Sequence, residues 1–202
     1  MSEPEFYRTI ERPATAEFKD RGSKFIAFAY PLEKSTDFKK YMAALKKEHP
    51  KAVHHCFAYR IGFDGNNFRV SDDGEPAGSA GKPILGQIES KELTDTMVIV
   101  VRYFGGTLLG VPGLINAYKT VTSLVLQVTP IITKQIEVRW AVHFDYTQIN
   151  EVMKVLKQFN CTVIEQELQL FCNIVAGIPK NRLQEVLYRL KELQNVEINK
   201  LD

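Results

Sequence analysis

The spacing of apolar positions separates strand-like stretches from helix-like ones along most of the chain. Lys24 to Pro31 reads as a strand; Phe38, Tyr41, Met42 and Leu45 then fall three and four apart, predicting an amphipathic helix from near Ser35 or Thr36 to Pro50. Val53 to Ile61 and Phe68 to Ser71 are rich in β-formers. The loop Phe63-Asp64-Gly65-Asn66-Asn67 between them supplies Gly and Asn for positive φ, so the pair reads as an antiparallel hairpin. Asp72 to Pro83 holds too much Gly, Pro and acid for either element, and Ile84, Leu85 and Ile88 predict a short helix to about Lys91. Met97 to Phe104 is a nearly unbroken apolar run, the mark of a strand covered on both faces. Gly105 to Gly113 reads as a loop, followed by a helix that turns Leu114, Ile115, Tyr118, Val121 and Val125 inward.

From Thr133 the alternation is clearer. Ile136, Val138, Trp140, Val142 and Phe144 interleave with Glu137, Arg139, Ala141 and His143, a strand with one wet face. A helix capped by Thr147 follows, with Ile149, Val152, Met153, Leu156 and Phe159 on one side. Cys161 to Ala176 has room for two strands turning near Gln166. Pro179 opens a second helix carrying Leu183, Val186, Leu187 and Leu190, and Val196 to Leu201 closes as a strand. The order β-α-β-β-α-β is that of a ferredoxin-like split motif. The expectation is an α+β protein with a first domain over 1–132 and a second over 133–202.

Composition supports that division. Eleven of the 12 glycines precede Gly177, all between Gly22 and Gly113, and the basic residues outnumber the acidic by 17 to 15 before Thr133 but are balanced at nine each after it. With a net charge of only +2 over 202 residues, no whole-molecule field gathers nucleic acid or acidic lipid; such binding needs a local patch. Cys56, Cys161 and Cys172 are an odd, scattered set, which suits neither a disulfide framework nor a zinc knuckle and fits a reducing cytoplasm. Met1 to Asp20 lacks the apolar run of a secretory signal, and no stretch approaches a membrane span, so no membrane partner is expected.

Candidate chemistry gathers in four segments: His54-His55-Cys56-Phe57-Ala58-Tyr59-Arg60, Ser71 to Gly78, Ser79 to Pro83, and Val101 to Gly110. Neighbouring strand residues face opposite ways, so His54 and His55 do not readily share a metal. Asp72, Asp73 and Glu75 form an acidic turn without the spacing of an EF-hand; their carboxylates suit capping of their own turn's N–H groups, or an acid/base pairing with Lys82. The stretch 78–83 resembles a phosphate loop only superficially, since Pro stands at 76 and at 83, where that motif needs Gly and Ser or Thr. Cys56 reads as a core thiol, and no G-x-S-x-G elbow exists. No cofactor, metal or catalytic residue is expected. Arg102-Tyr103-Phe104-Gly105-Gly106 is more telling: a strand delivers a cation and two aromatics to a double-glycine turn whose amides can approach an anion, an arrangement suited to single-stranded RNA. The plainer reading is a tight corner with Arg102 paired to Asp72 or Asp73.

Gly81, Ile84-Leu85, Ile88, Leu93, Ile99-Val100, Arg102 to Gly106 and Gly110 fall at the spacing of the IMPACT family, which the stretch from His54 to Leu114 resembles. The bacterial YigZ-type members of that family pair this domain with a ferredoxin-like one. The resemblance implies a ribosomal-protein-S5-domain-2-like fold for the first domain, a likeness of the whole pair to domains IV and V of elongation factor G, and a translation-linked role. In eukaryotic relatives that role is control of a starvation-responsive kinase through its ribosome-associated coactivator, by way of a recognition domain without a counterpart here; that partner is not carried over.

Three readings follow. The first is a cytoplasmic, non-enzymatic binding protein for RNA or the ribosome, without sequence-specific DNA binding, whose ligand meets His54, Arg60, Asp72, Asp73, Glu75, Lys82, Arg102, Tyr103, Gly105 and Gly106. The second is a hydrolase-like enzyme using the acidic turn and a histidine on a small phosphorylated or peptide substrate. The third is a module that docks a translation-associated protein.

Overall fold

Two strands, FYRTI and ATAEFKD, precede the first element that the apolar pattern reveals. The computed structural model describes residues 4–201; the outermost residues of both expected domains lie outside the described residues. Strand β1 is Phe6–Ile10, β2 Ala14–Asp20 and β3 Ser23–Pro31; helix α1 spans Phe38–Glu48, β4 His54–Ile61 and β5 Asn67–Ser71. Helix α2 is Gly81–Ser90, β6 Thr96–Tyr103, α3 Gly110–Val128 and β7 Ile131–Gln135. Beyond them lie β8 Glu137–Asp145, α4 Ile149–Gln158, β9 Thr162–Glu167, β10 Phe171–Pro179, α5 Leu183–Lys191 and β11 Val196–Lys200. The described chain forms a mixed α/β protein of several sheets in two units, Tyr7–Lys134 and the remainder.

The first unit is built on a five-stranded antiparallel sheet in the order β2-β3-β6-β4-β5. Because strand side chains alternate, its central strand serves two cores. Val98 and Val100 pack with Ala27, Cys56 and Ala58 beneath α2 and α3, while Met97 and Ile99 pack with Phe57 and Tyr59 beneath Leu45 of α1. Complete burial of each such aliphatic side chain stabilises by about 1.5–3 kcal/mol, which is why an apolar run without polar alternation belongs at this position. The second unit has the sheet order β11-β8-β10-β9, with α4 and α5 contributing Val152, Leu156, Val186 and Leu190 to a core shared with Val142, Phe144 and Ile174.

Several local expectations change. The strands β1, β2 and β7 are not signalled by the periodicity. Helix α3 begins at Gly110 instead of after Gly113, since Pro112 in a first turn has no N–H to satisfy. Pro179 ends β10, and the 3-10 turn Lys180–Arg182 leads into α5 in its place. The β9–β10 turn lies beyond Glu167. A 3-10 turn, Tyr146–Gln148, also precedes α4, and no side-chain cap from Thr147 forms. No described helix is long and apolar enough to cross a membrane.

Candidate functional site

Arg102 and its cross-strand partner His54 lie at one end of β6 and β4, on the face covered by α2 and α3. After Ser71 the chain leaves β5, and Asp73 and Gly74 adopt positive φ, 43° and 87°, turning the backbone back towards β4. Asp73 continues the ladder with its side chain: Oδ2 accepts the His55 N–H at 2.6 Å, and its carbonyl oxygen lies 2.7 Å from His54 Nδ1. Asp72 instead reaches forward to the start of α2, where Oδ2 accepts Gly78 N–H at 2.8 Å and Oδ1 accepts Ala80 and Gly81 N–H at 3.0 and 2.8 Å. Burial alone would raise the Asp72 pKa; the donated N–H bonds, helped by nearby Lys82, outweigh it and hold the carboxyl below its ordinary value.

Both aspartates are therefore occupied, and the carboxylate left for Arg102 is Glu75. Its Oε1 accepts Arg102 Nη1–H at 2.6 Å and the Tyr118 hydroxyl at 2.8 Å, and its Oε2 lies 3.8 Å from His54 Nε2. Arg102 and Glu75 are 5% and 8% exposed, so this is an internal ion pair and the guanidinium is not an open cation for a ligand phosphate. The Arg102 guanidinium also lies 5.4 Å from the Phe25 ring centre and 5.8 Å from that of Phe104. Ser23 Oγ accepts the Gly105 N–H at 3.2 Å, and Gly105 presses so closely on Gly22 and Ser23 that a Cβ there would overlap their backbone.

Cys56 and Tyr118 complete the cluster. The Cys56 sulfur is 3.0 Å from the Asp72 carbonyl oxygen and 3.3 Å from Tyr118 Oη. Burial pushes the thiol pKa far up, and the charges of Glu75, Asp73 and Asp72 add to it against the Tyr118 hydrogen bond. Burial likewise raises the Tyr118 phenol, with Cys56 and Glu75 reinforcing the shift. Both groups stay protonated near neutrality, Tyr118 donating to Glu75 and Cys56 facing the Asp72 carbonyl, and neither is a ready nucleophile.

The structure thus gathers His54, Asp72, Asp73, Glu75, Arg102 and Gly105. Gly106 lies beside them with open space where a Cβ would be, and Lys82 stands exposed in the first turn of α2. Arg60 is elsewhere: six residues along β4 from His54, about 20 Å at strand rise, its Nε donates to Gly65 O at 3.0 Å in the hairpin loop. Tyr103 points to the α1 face, its hydroxyl 2.8 Å from His49 Nδ1. His55 also takes that face, and burial lowers its pKa. Tyr118 and Ser23 were not anticipated as members. A buried tyrosine needs a partner for its hydroxyl, which is the one sequence signal that marked Tyr118. Among the described residues no three His, Cys, Asp or Glu side chains converge as a metal-ligand set.

Comparison with known proteins identifies the family. The family described as the Impact N-terminal domain matches residues 21–126, a span that holds every member of the cluster. An IMPACT family member of Haemophilus influenzae is 33% identical over 175 residues, 84% of each chain. The IMPACT family member YigZ of Escherichia coli is 30% identical over 182 residues, 89% of each. A crystal structure of a hypothetical protein superposes with a TM-score of 0.77 at 27% identity, covering 99% of both chains. With the domain match spanning more than half its length and these relatives most of it, the chain belongs to the IMPACT family.

Proposed function

We propose that the chain is a non-enzymatic binding protein of the cytoplasm that acts in translational control by contacting RNA, free or on the ribosome. The carrying observation is the internal pairing of the Arg102–Glu75–Tyr118 cluster. Arg102 and Tyr118 hold Glu75 of the 72–81 loop internally, and the ligand is left with what that loop and the 104–110 loop turn outward. That outward set is Lys82, Gly106 and the apolar Phe104 and Leu108, 47% and 81% exposed. An exposed ring, a glycine turn and a cation are the chemistry of single-stranded RNA recognition, in which bases stack and phosphate meets N–H and ammonium.

The architecture is in keeping with this reading. A β-α-β-β-α-β order with the last strand next to the first supports a ferredoxin-like assignment for the second unit, and the family resemblance carries the S5-domain-2-like assignment of the first and the likeness to elongation factor G. The domain limits we assign are those of the sequence, 1–132 and 133–202. Crosslinking in cells followed by sequencing of bound RNA tests the proposal. Recovered RNA, with affinity that falls in Phe104→Ala and Lys82→Ala variants, is the expected result; no RNA above background overturns it.

A second reading has its own observation. Phe104, Leu108 and Val111 place three exposed apolar side chains within eight residues, which suits docking of a translation-associated protein. Salt-tolerant capture of one protein after RNase treatment, lost in Leu108→Asp, distinguishes it.

A further inference from the structure

On the far side of the five-stranded sheet from the Arg102 cluster, α1 packs Leu45, with Phe38, Tyr41 and Met42, into the core. Lys39, Lys40, Lys46 and Lys47 are all exposed. At about 100° per residue the four lysines fall within an arc of about 120°, opposite the core residues, with only Ala43 and Ala44 in and beside it. Lys34 and Lys51 stand exposed just beyond either end. Arg69 of β5 is also exposed and lies 5.8 Å from the ring centres of Phe38 and Phe57.

The charge is concentrated and unspent. From Glu33 to Lys51 the chain carries six lysines against three acids, an excess of three, when the whole protein has an excess of two. Of those acids, Glu33 is bound to Lys134 at 2.7 Å, and Glu48 faces His49 at 3.7 Å. No ion pair among the described residues engages any of the four α1 lysines, and apart from Asp37 no acid stands three or four positions from one. Holding uncompensated like charges on one helix face contributes nothing to the fold; the arrangement complements a polyanion.

We infer that this α1 face is an RNA-backbone-binding surface, separate from the loops and resting on the RNA reading given above. A nucleic acid is favoured over an anionic membrane because the lysine arc has no exposed Leu, Phe or Trp to enter a lipid interface, which surface-bound helices require. Lysines spread over a wide arc instead suit phosphates of a strand or groove edge, which position without reading sequence.

The test compares the full-length protein with a Lys39→Gln, Lys40→Gln, Lys46→Gln, Lys47→Gln variant; glutamine keeps helix propensity, and circular dichroism confirms the fold. Binding of a mixed-sequence single-stranded RNA oligonucleotide is measured from about 50 to 200 mM salt, with phosphatidylserine vesicles as the competing probe. At about 0.7 per phosphate contact, the slope of log affinity against log salt is expected to shrink by about 3 in the variant, so the wild type loses about fifty-fold more affinity over that range. An unchanged slope in a folded variant that still binds RNA overturns the α1 surface and leaves the loop reading standing. No RNA binding by the wild type overturns both. Tighter vesicle than RNA binding with the same four-lysine dependence overturns the choice of RNA.

Discussion

The two faces of the first unit's sheet treat basic residues in opposite ways. Beneath α2 and α3, Arg102 is enclosed with Glu75, Tyr118 and Phe25; on the other side, α1 carries four lysines that meet no acid among the described residues. The histidines divide likewise. His54 shares Glu75 with the arginine, and its neighbour His55 faces α1, where burial favours its neutral form. The contrast teaches that a cation's role depends on where its counter-charge lies: inside the chain it positions loops, and outside the chain it awaits a partner.

The strongest way to break the comparison is to strand the buried cation. Glu75→Ala leaves the guanidinium and the Tyr118 hydroxyl without their acceptor in a dry site, and stability is expected to fall by about 3–5 kcal/mol in urea unfolding. A paired Glu75→Gln, Arg102→Met replacement should recover a large part of that loss, since removing both charges costs less than removing one. A Glu75→Ala protein as stable as wild type would mean the ion pair does not hold the loops. Gly105→Ala comes next. Its methyl group would meet the backbone of Gly22 and Ser23, and forcing the corner apart is expected to cost about 1–3 kcal/mol and to disorder the 104–110 loop, read as faster amide exchange there.

Asp72→Asn tests the start of α2 and should cost about 1–2 kcal/mol, in the range of lost helix N-terminal acceptors. It also has a pH signature. The folded carboxyl titrates below its ordinary value of 3.8, so its contribution is fully present above that value and is lost as pH falls through the lower, folded one. Acid unfolding of the wild type should therefore steepen below pH 3.8, and the Asn variant should lack that part of the slope.

Elements with a strong apolar contrast were legible. The β6 run and the alternation from Ile136 to Phe144 both appear as strands close to the predicted limits. Strand β2 escaped because its inward positions are Ala14, Ala16 and Phe18, two of them too small to register, and because its turn to β3 is Arg21-Gly22, at positive φ of 45° and 82°, without an Asn-Gly signal. At the site, the sequence reading pairs Arg102 with Asp72 or Asp73, and the structure corrects the partner to Glu75. The choice depends on backbone N–H groups: α2's first turn claims Asp72 and the β4 edge claims Asp73. The lysine arc is written plainly in the sequence at helical spacing, yet a net charge of +2 over the chain conceals it.

Two smaller effects sharpen the α1 side of the contrast. His55 has its folded pKa lowered by burial, partly offset by Asp73 and assisted by Lys46 and His49, so the unfolded chain takes up its proton first. Stability should therefore decline as pH drops below about 6.5, through the window down to the lowered folded value, and His55→Phe should flatten that stretch of a pH series of melting curves.

The smallest expected change belongs to the α1 lysines themselves. If their charge serves a partner and not the fold, the four-fold Gln variant should match wild-type stability within about 0.5 kcal/mol at low salt, as unpaired surface residues do. Relief of mutual repulsion sets the sign: any shift should be towards greater stability and should vanish as added salt screens the charges. A loss of more than 1 kcal/mol in urea unfolding would show that these lysines have acceptors within the protein, and the two faces of the sheet would then differ only in how deeply their ion pairs are buried.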